Sequence, residues 1–240
     1  MTIRTAMVMA AGLGTRMRPL TNDRPKALVE VGGKALIDWM LDKLHAAGVE
    51  RAIVNIHHFA DAIEAHLAAR SGGPEIIISD ERYQLLETGG GLVKAAPLLG
   101  DDPIFVANID ALWIDGAVNE LERLASGYDA ATMDFRLLLA RREGLVGLEG
   151  AGDFAMDPQG RLQRFRDAPA GSEPLFYCGV QMMHPRVLKG RKIEPFSTNR
   201  MWDEALARQR VKGQIMDAFW MHVGDPETRR LVENRLSSTP

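Results

Sequence analysis

The 240 residues, 46 % apolar and 25 % charged, suffice for one large domain with a substantial core. A formal net charge of −3 leaves no general footprint for nucleic acid, and the single cysteine, Cys178, excludes an internal disulfide framework and fits a reducing compartment. Without a signal-like start or an apolar run of about 18 residues, the chain reads as cytoplasmic, with neither membrane nor nucleic acid as partner.

Short apolar runs alternate with amphipathic segments over the first half. Residues 5–10 predict a strand, 35–47 a helix with Ile37, Met40, Leu41 and Leu44 on one face, 52–56 a strand, and 60–70 a helix with Ile63 and Leu67 inward. Strands at 75–79 and 104–108 then bracket a short helix at 91–99. A further helix over 118–126 carries Val118, Leu121 and Leu124 on its face. Apolar strands between helices predict a buried, largely parallel sheet with right-handed crossovers. After residue 129 the pattern changes: strands at 130–140 and 145–149, a hairpin turning at Asp157-Pro158-Gln159-Gly160, and a strand at 176–183. A helix at 202–209, extended chain over 212–219 and a terminal helix over 225–236 capped by Asp225 follow. No repeat or linker divides the chain, so one domain over 1–240 is predicted, with functional halves at about 1–128 and 129–240.

Between the first strand and the first helix lies Ala10-Ala11-Gly12-Leu13-Gly14-Thr15-Arg16-Met17-Arg18-Pro19, then Arg24-Pro25-Lys26-Ala27-Leu28. Gly12 and Gly14 have no Cβ to keep backbone N–H groups from an anion, and Arg16, Arg18, Arg24 and Lys26 add positive charge. The segment suits a polyphosphate. It is not a Walker loop, because no Lys-Ser or Lys-Thr pair follows the glycines. Nor is it a dinucleotide fingerprint, because Met17 stands where a third small residue is required. Without the cations, a tight strand-to-helix turn would explain the glycines.

Three other segments carry chemistry. Ile104-Phe105-Val106-Ala107-Asn108-Ile109-Asp110 ends a buried strand in a carboxylate, at the sheet edge where α/β ligands bind. Leu86-Glu87-Thr88-Gly89-Gly90-Gly91 precedes a helix. Tyr177-Cys178-Gly179-Val180 lies on a late strand. His57, His58 and His66 lack zinc-ligand spacing and read as a strand end and a helix face. Cys178 reads as a packed small residue.

Together these motifs resemble the sugar-nucleotide pyrophosphorylases, whose opening pattern is L-A-A-G-x-G-T-R-φ-x-P-L-T followed by P-K-x-L; Met9 stands in place of the leading Leu. The resemblance implies a Rossmann-like three-layer α/β sandwich with a mostly parallel mixed sheet. It also implies an enzyme that transfers a nucleotidyl group to a sugar 1-phosphate and releases pyrophosphate, using Mg²⁺. Arg16 and Lys26 become the catalytic cations, Arg16 on the leaving pyrophosphate and Lys26 at the transfer centre. Ala10, Ala11, Gly12, Gly14, Thr15, Gly89 and Gly90 become nucleotide-binding, and Glu87, Asn108, Gly179 and His222 substrate-binding. Asp110 becomes the metal ligand, although Ile109 replaces the family's glycine.

In the family's W-x-D-φ-G-T, the second metal Asp corresponds to His222 of Trp220-Met221-His222-Val223-Gly224-Asp225. Three readings are open: another metal, a phosphate-facing His222, or rescue by Asp225; the second is preferred, because imidazole suits Mg²⁺ poorly. The family's sugar-phosphate lysine is absent, with Arg166 a candidate substitute and Trp202 a candidate sugar contact.

The Glu-Thr-Gly-Gly-Gly form resembles the short bacterial members that act as N-acetylmuramate 1-phosphate uridylyltransferases. UTP and that sugar phosphate, in cell-wall (peptidoglycan) recycling, are therefore the favoured substrates, and the chain a monomer or small homo-oligomer. Guanylyl transfer to mannose or heptose 1-phosphate, cytidylyl transfer to phosphocholine, and a non-catalytic nucleotide-sugar-binding subunit are the alternatives.

Overall fold

The computed structural model describes residues 2–237. Seven strands form the main sheet: β1 (Thr5–Met9), β2 (Arg51–Ile56), β3 (Glu75–Asp80), β4 (Ile104–Asn108), β5 (Phe135–Ala140), β6 (Phe176–Met183) and β7 (Val211–Ile215). Their order is β7-β5-β6-β4-β1-β2-β3, and only β6 runs antiparallel to its neighbours. Strands from both halves of the chain thus enter one sheet.

Alternation along the strands makes the layers. Ala6 and Val8 of β1 point to one face with Ala52, Val54, Phe105 and Ala107, and there meet α1 (Leu36–Ala46), α2 (Ala60–Ala69) and α4 (Glu120–Ser126). Met7, Ile53, Ile104 and Val106 point the other way, onto α3 (Glu87–Leu99) and α5 (Thr198–Ala207). Both faces are covered, as a mostly parallel sheet requires, and each fully buried Leu, Ile or Met contributes about 1.5–3 kcal/mol relative to exposure. The result is the three-layer α/β sandwich implied by the motifs.

Several boundaries differ from the sequence pattern, each for a local reason. Val118 is exposed and α4 starts at Glu120, because the Asn119 side chain accepts from the N–H groups of Leu121 and Glu122. The predicted strand at 130–140 is only Phe135–Ala140, since Asp129 folds the preceding residues into a turn. The strand at 145–149 shortens to Leu145–Val146 before a glycine-rich loop. The extended run 212–219 splits between β7 and a second, three-stranded sheet. Helix α5 begins at Thr198 rather than 202, with Ser197 as its cap, and α3 begins at Glu87 rather than 91. The terminal helix α6 (Pro226–Ser237) follows Asp225, whose Oδ1 accepts from Glu227 and Thr228 as a cap should.

The three-stranded sheet positions the site. Phe219–His222 pairs antiparallel with Ala111–Ile114 and parallel with Leu145–Val146, and its register sets His222 opposite Ala111.

Candidate active site

The carboxyl ends of β1, β2 and β4 converge on one opening. The chain leaves β1 into the phosphate loop, whose start is fixed from β2: Asn55 Oδ1 accepts the N–H groups of Ala10 (2.7 Å) and Ala11 (3.3 Å). Gly14 sits at φ +64, and a Cβ there would come within 2.9 Å of Lys26 Cβ, so glycine lets the loop close on the lysine stem. Thr21 reinforces this closure by donating its hydroxyl to the Gly14 carbonyl at 2.9 Å. A Cβ on Gly12 would meet nothing within 4 Å; this glycine faces open space, where a ligand can approach.

Of the four cations in the motif, the structure brings two to the site. Arg16 is exposed at the rim between two adjoining cavities, and among the described residues it has no ion-pair partner. Lys26 is largely buried and reaches Asp110 Oδ2 at 2.7 Å. Arg24 is instead paired outward with Asp23, and Arg18 is exposed and lines neither cavity. Their expected contribution is therefore corrected.

Asp110 follows β4 by one residue and is the electrostatic centre. Its Oδ2 also lies 3.3 Å from His222 Nε2, and His222 donates its Nδ1–H to the Gly147 carbonyl at 3.1 Å. Burial opposes ionisation of Asp110, but Lys26 and His222 outweigh it and hold the carboxyl well below the usual carboxylate range. Both nitrogens of His222 thus have protein partners, although the ring still lines the cavity. Asp225 serves α6 as its cap and has no part in this cluster.

The Thr-Gly-Gly-Gly motif proves to be packing behind the wall. Gly89 and Gly90 donate their N–H groups to the Phe196 carbonyl at 2.8 and 3.2 Å. A Cβ on the first would collide with the Phe196 ring and on the second with the Glu194 carbonyl. Gly91 lets α3 approach a buried polar pair, since its Cβ would stand 2.8 Å from Glu81 Oε1 and 3.0 Å from Asn55 Nδ2. Gly89 and Gly90 therefore do not line the cavity; Leu85, Glu87 and Thr88 do. Ala10 is likewise buried behind the loop, whereas Ala11, Gly12, Gly14, Thr15, Lys26, Asn108 and Asp110 line this first cavity of about 530 Å³.

The second cavity, about 420 Å³, adjoins the first and shares Arg16, Thr88, Asn108, Asp110 and Ser197 with it. Gly179, at φ +78 where β6 shifts register, forms part of its floor, with Asn108 close beneath. Its walls were largely missed by sequence reasoning: the loop 148–153, Gln181 and the capped start of α5, whereas Tyr177 belongs to the motif around Gly179. Trp202 also lines it, with its Nε1–H donated to Gln181 Oε1 at 2.8 Å and its ring 4.8 Å from that of Tyr177. The Ser197 cap before α5 was the available signal for that wall. Arg166 is exposed, pairs with Asp167 and lines neither cavity, so it does not replace the family's lysine.

A cavity beside a cation-bearing loop shares a half-buried carboxylate with a second cavity, an arrangement suited to holding two anionic substrates side by side. The chain belongs to the MobA-like NTP transferase family, which it matches over residues 6–187, and is a nucleotidyltransferase. It is 51 % identical over 237 residues to an N-acetylmuramate alpha-1-phosphate uridylyltransferase of Caulobacter vibrioides, covering 98 % of this chain and 97 % of that one. A Neisseria meningitidis protein of the same name is 32 % identical, with 91 % and 92 % covered. Among solved structures, a UDP-glucose pyrophosphorylase complexed with UDP-glucose superposes with a TM-score of 0.81 at 18 % identity, over 99 % of this chain and all of the other, and shows the shared fold. No described helix is long and apolar enough to cross a membrane.

Proposed function

We propose that this chain joins UTP to N-acetylmuramate 1-phosphate, forming UDP-N-acetylmuramate and pyrophosphate in the cytoplasm, as a step of peptidoglycan recycling. The observation that carries the substrate choice is the 51 % identity, over nearly both full lengths, to the Caulobacter enzyme of that name. The first cavity takes the nucleotide, the second the acceptor, and Asp110 stands at their junction.

No protein nucleophile is needed. The acceptor's phosphate oxygen attacks the α-phosphorus of UTP, the bond from that phosphorus to the α–β bridging oxygen breaks, and pyrophosphate carries away the electron pair. A phosphate monoester is mostly dianionic at neutral pH, with a second pKa near ~6, so no general base is required. The protein holds two anions together and neutralises their repulsion. Arg16, exposed at the rim and without an ion-pair partner among the described residues, binds the leaving pyrophosphate. Lys26 faces the transfer centre from beside Asp110.

Asp110 suits Mg²⁺ in a limited way. It offers a hard oxygen donor held ionised by its neighbours, and its Oδ1 has no protein partner among the described residues. No group of three or more His, Cys, Asp or Glu that could hold a metal occurs among the described residues. Asp110 would therefore hold the ion together with substrate phosphates, and the ion would supply charge neutralisation on them.

Pyrophosphate release tests this reading. Purified chain with Mg²⁺ should release it from UTP plus N-acetylmuramate 1-phosphate at least about tenfold faster (in kcat/KM) than from GTP plus mannose 1-phosphate or CTP plus phosphocholine. Faster release from either of those pairs would reassign the substrates, and none from any pair would indicate a binding subunit.

A further inference from the structure

Behind the nucleotide cavity lies a buried polar relay. Asn55 and Glu81 are each 1 % exposed, at the carboxyl end of β2 and just after β3. Asn55 Nδ2 donates to Glu81 Oε1 at 2.8 Å, and Glu81 Oε2 accepts the Leu86 N–H at 3.3 Å, immediately before α3. Asn55 Oδ1 meanwhile holds the N–H groups of Ala10 and Ala11. The relay spans from the phosphate loop to the opposite wall of the same cavity, where Leu85, Glu87 and Thr88 stand.

We propose that Glu81, which lines neither cavity, is a positioning residue for the nucleotide: it dictates the orientation of the Asn55 amide and so sets the phosphate loop against the start of α3. The reasoning is one of donors and acceptors. An ionised carboxylate only accepts, so Asn55 must turn its NH₂ toward Glu81, which leaves its carbonyl oxygen for the loop. Reversing the amide would aim NH₂ at two N–H donors. The inference rests on the nucleotide-binding role of this cavity, though not on which sugar is used.

Keeping a carboxylate here is not favourable in itself. Burial pushes the Glu81 carboxyl up, only partly opposed by its bonds to Asn55 and Leu86 and by the charges of Lys94 and His57. A side chain needed only to fill space would carry no charge. What the carboxylate alone provides is two acceptors, one for each wall. In Glu81→Gln, one end becomes a donor. Either the Leu86 N–H then faces an NH₂, or Asn55 must flip and release the loop. Exchanging the groups restores every match: in the Asn55→Asp/Glu81→Gln double variant, Asp takes the loop N–H groups and the Gln NH₂, and the Gln carbonyl takes Leu86.

The test measures UTP affinity by calorimetry in Mg²⁺ buffer without acceptor, alongside melting temperature, for wild type, both single variants and the double variant. Each single variant should weaken UTP at least about tenfold, the order expected when a buried hydrogen bond is lost. Glu81→Gln should nevertheless melt within a few degrees of wild type, because it also removes a buried charge. The double variant should regain at least half of the lost affinity on a logarithmic scale, which a merely structural role does not predict. Unchanged UTP affinity in Glu81→Gln, or a double variant no tighter than Asn55→Asp alone, would overturn the proposal while leaving the function standing. A wild type that binds no nucleoside triphosphate would overturn both.

Discussion

In the proposed nucleotide cavity one wall is the glycine-bearing loop from Ala11 to Thr15, closed on Lys26 and held from behind by Asn55. In the proposed acceptor cavity the wall includes Trp202 locked to Gln181, Tyr177 edge-on to Trp202, and residues 148–153 reaching in from beyond the short strand Leu145–Val146. A main-chain wall demands glycine at particular places, and that demand is visible in a sequence. A side-chain wall can be built from many residue types at many positions, and it leaves no fixed spelling. The same contrast separates two kinds of glycine. Gly12 faces open space, whereas Gly89 and Gly90 are small because other protein atoms occupy the space.

The largest expected effect lies where the cavities meet. Asp110→Asn should lower kcat/KM on the order of 1000-fold, measured by pyrophosphate release. It should also change the pH dependence of stability. The Asp110 carboxyl is more acidic folded than unfolded, so unfolding takes up a proton in acid. Its stabilisation is present above the ordinary carboxylate value of about 4 and is lost as pH falls below it. Melting curves of wild type and Asp110→Asn should therefore differ most above pH ~4 and converge in stronger acid.

The two cations provide the next contrast. Arg16→Ala should reduce kcat by about 100-fold while moving the melting temperature by no more than ~2 °C, because Arg16 is exposed and has no ion-pair partner among the described residues. Lys26→Ala should reduce both, since it leaves the half-buried Asp110 carboxylate without its ion-pair partner, at a cost on the order of 1–2 kcal/mol. Equal melting losses in the two variants would break the distinction between a free cation and an engaged one.

Alanine at the two kinds of glycine sharpens the comparison further. Gly90→Ala drives a methyl group into the Glu194 carbonyl and should cost about 1–3 kcal/mol by denaturant titration. Gly12→Ala should leave stability unchanged and weaken UTP by about tenfold. The smallest effect belongs to the acceptor wall. Trp202→Phe, which removes the indole N–H from Gln181, should raise the acceptor KM about fivefold and leave that of UTP within twofold.

Most of the sheet was legible because its strands are apolar runs between amphipathic helices: β4 and β6 were predicted to the residue. Errors fell where a polar side chain decides the matter, as with Asn119 starting α4 after the apolar Val118, and Asp129 turning the chain before β5. That Arg16, Lys26 and Asp110 share one opening was legible from the loop's cations and from the strand ending in Asp110, while their catalytic and metal roles come from the resemblance. The meeting of Asp110 with His222 was not, because it depends on the pairing register of Ala111–Ile114 with Phe219–His222. Asn55 gave no signal at all: an asparagine at a strand end reads as solvent-facing until the neighbouring loop is seen to need an acceptor. The triple glycine misled because close packing and close ligand approach call for the same residue.

Lys26 lies 84 residues before Asp110 in sequence, and His222 bonds to a carbonyl 75 residues behind it. Contacts of such separation form late in folding, after the loops between them have been closed. The phosphate loop needs Asn55 of β2 to fix its start, and Asp110 gains His222 as its second side-chain neighbour only when Phe219–His222 has been made and paired. The order of synthesis thereby delays completion of the Lys26–Asp110–His222 cluster until Phe219–His222 has emerged and paired.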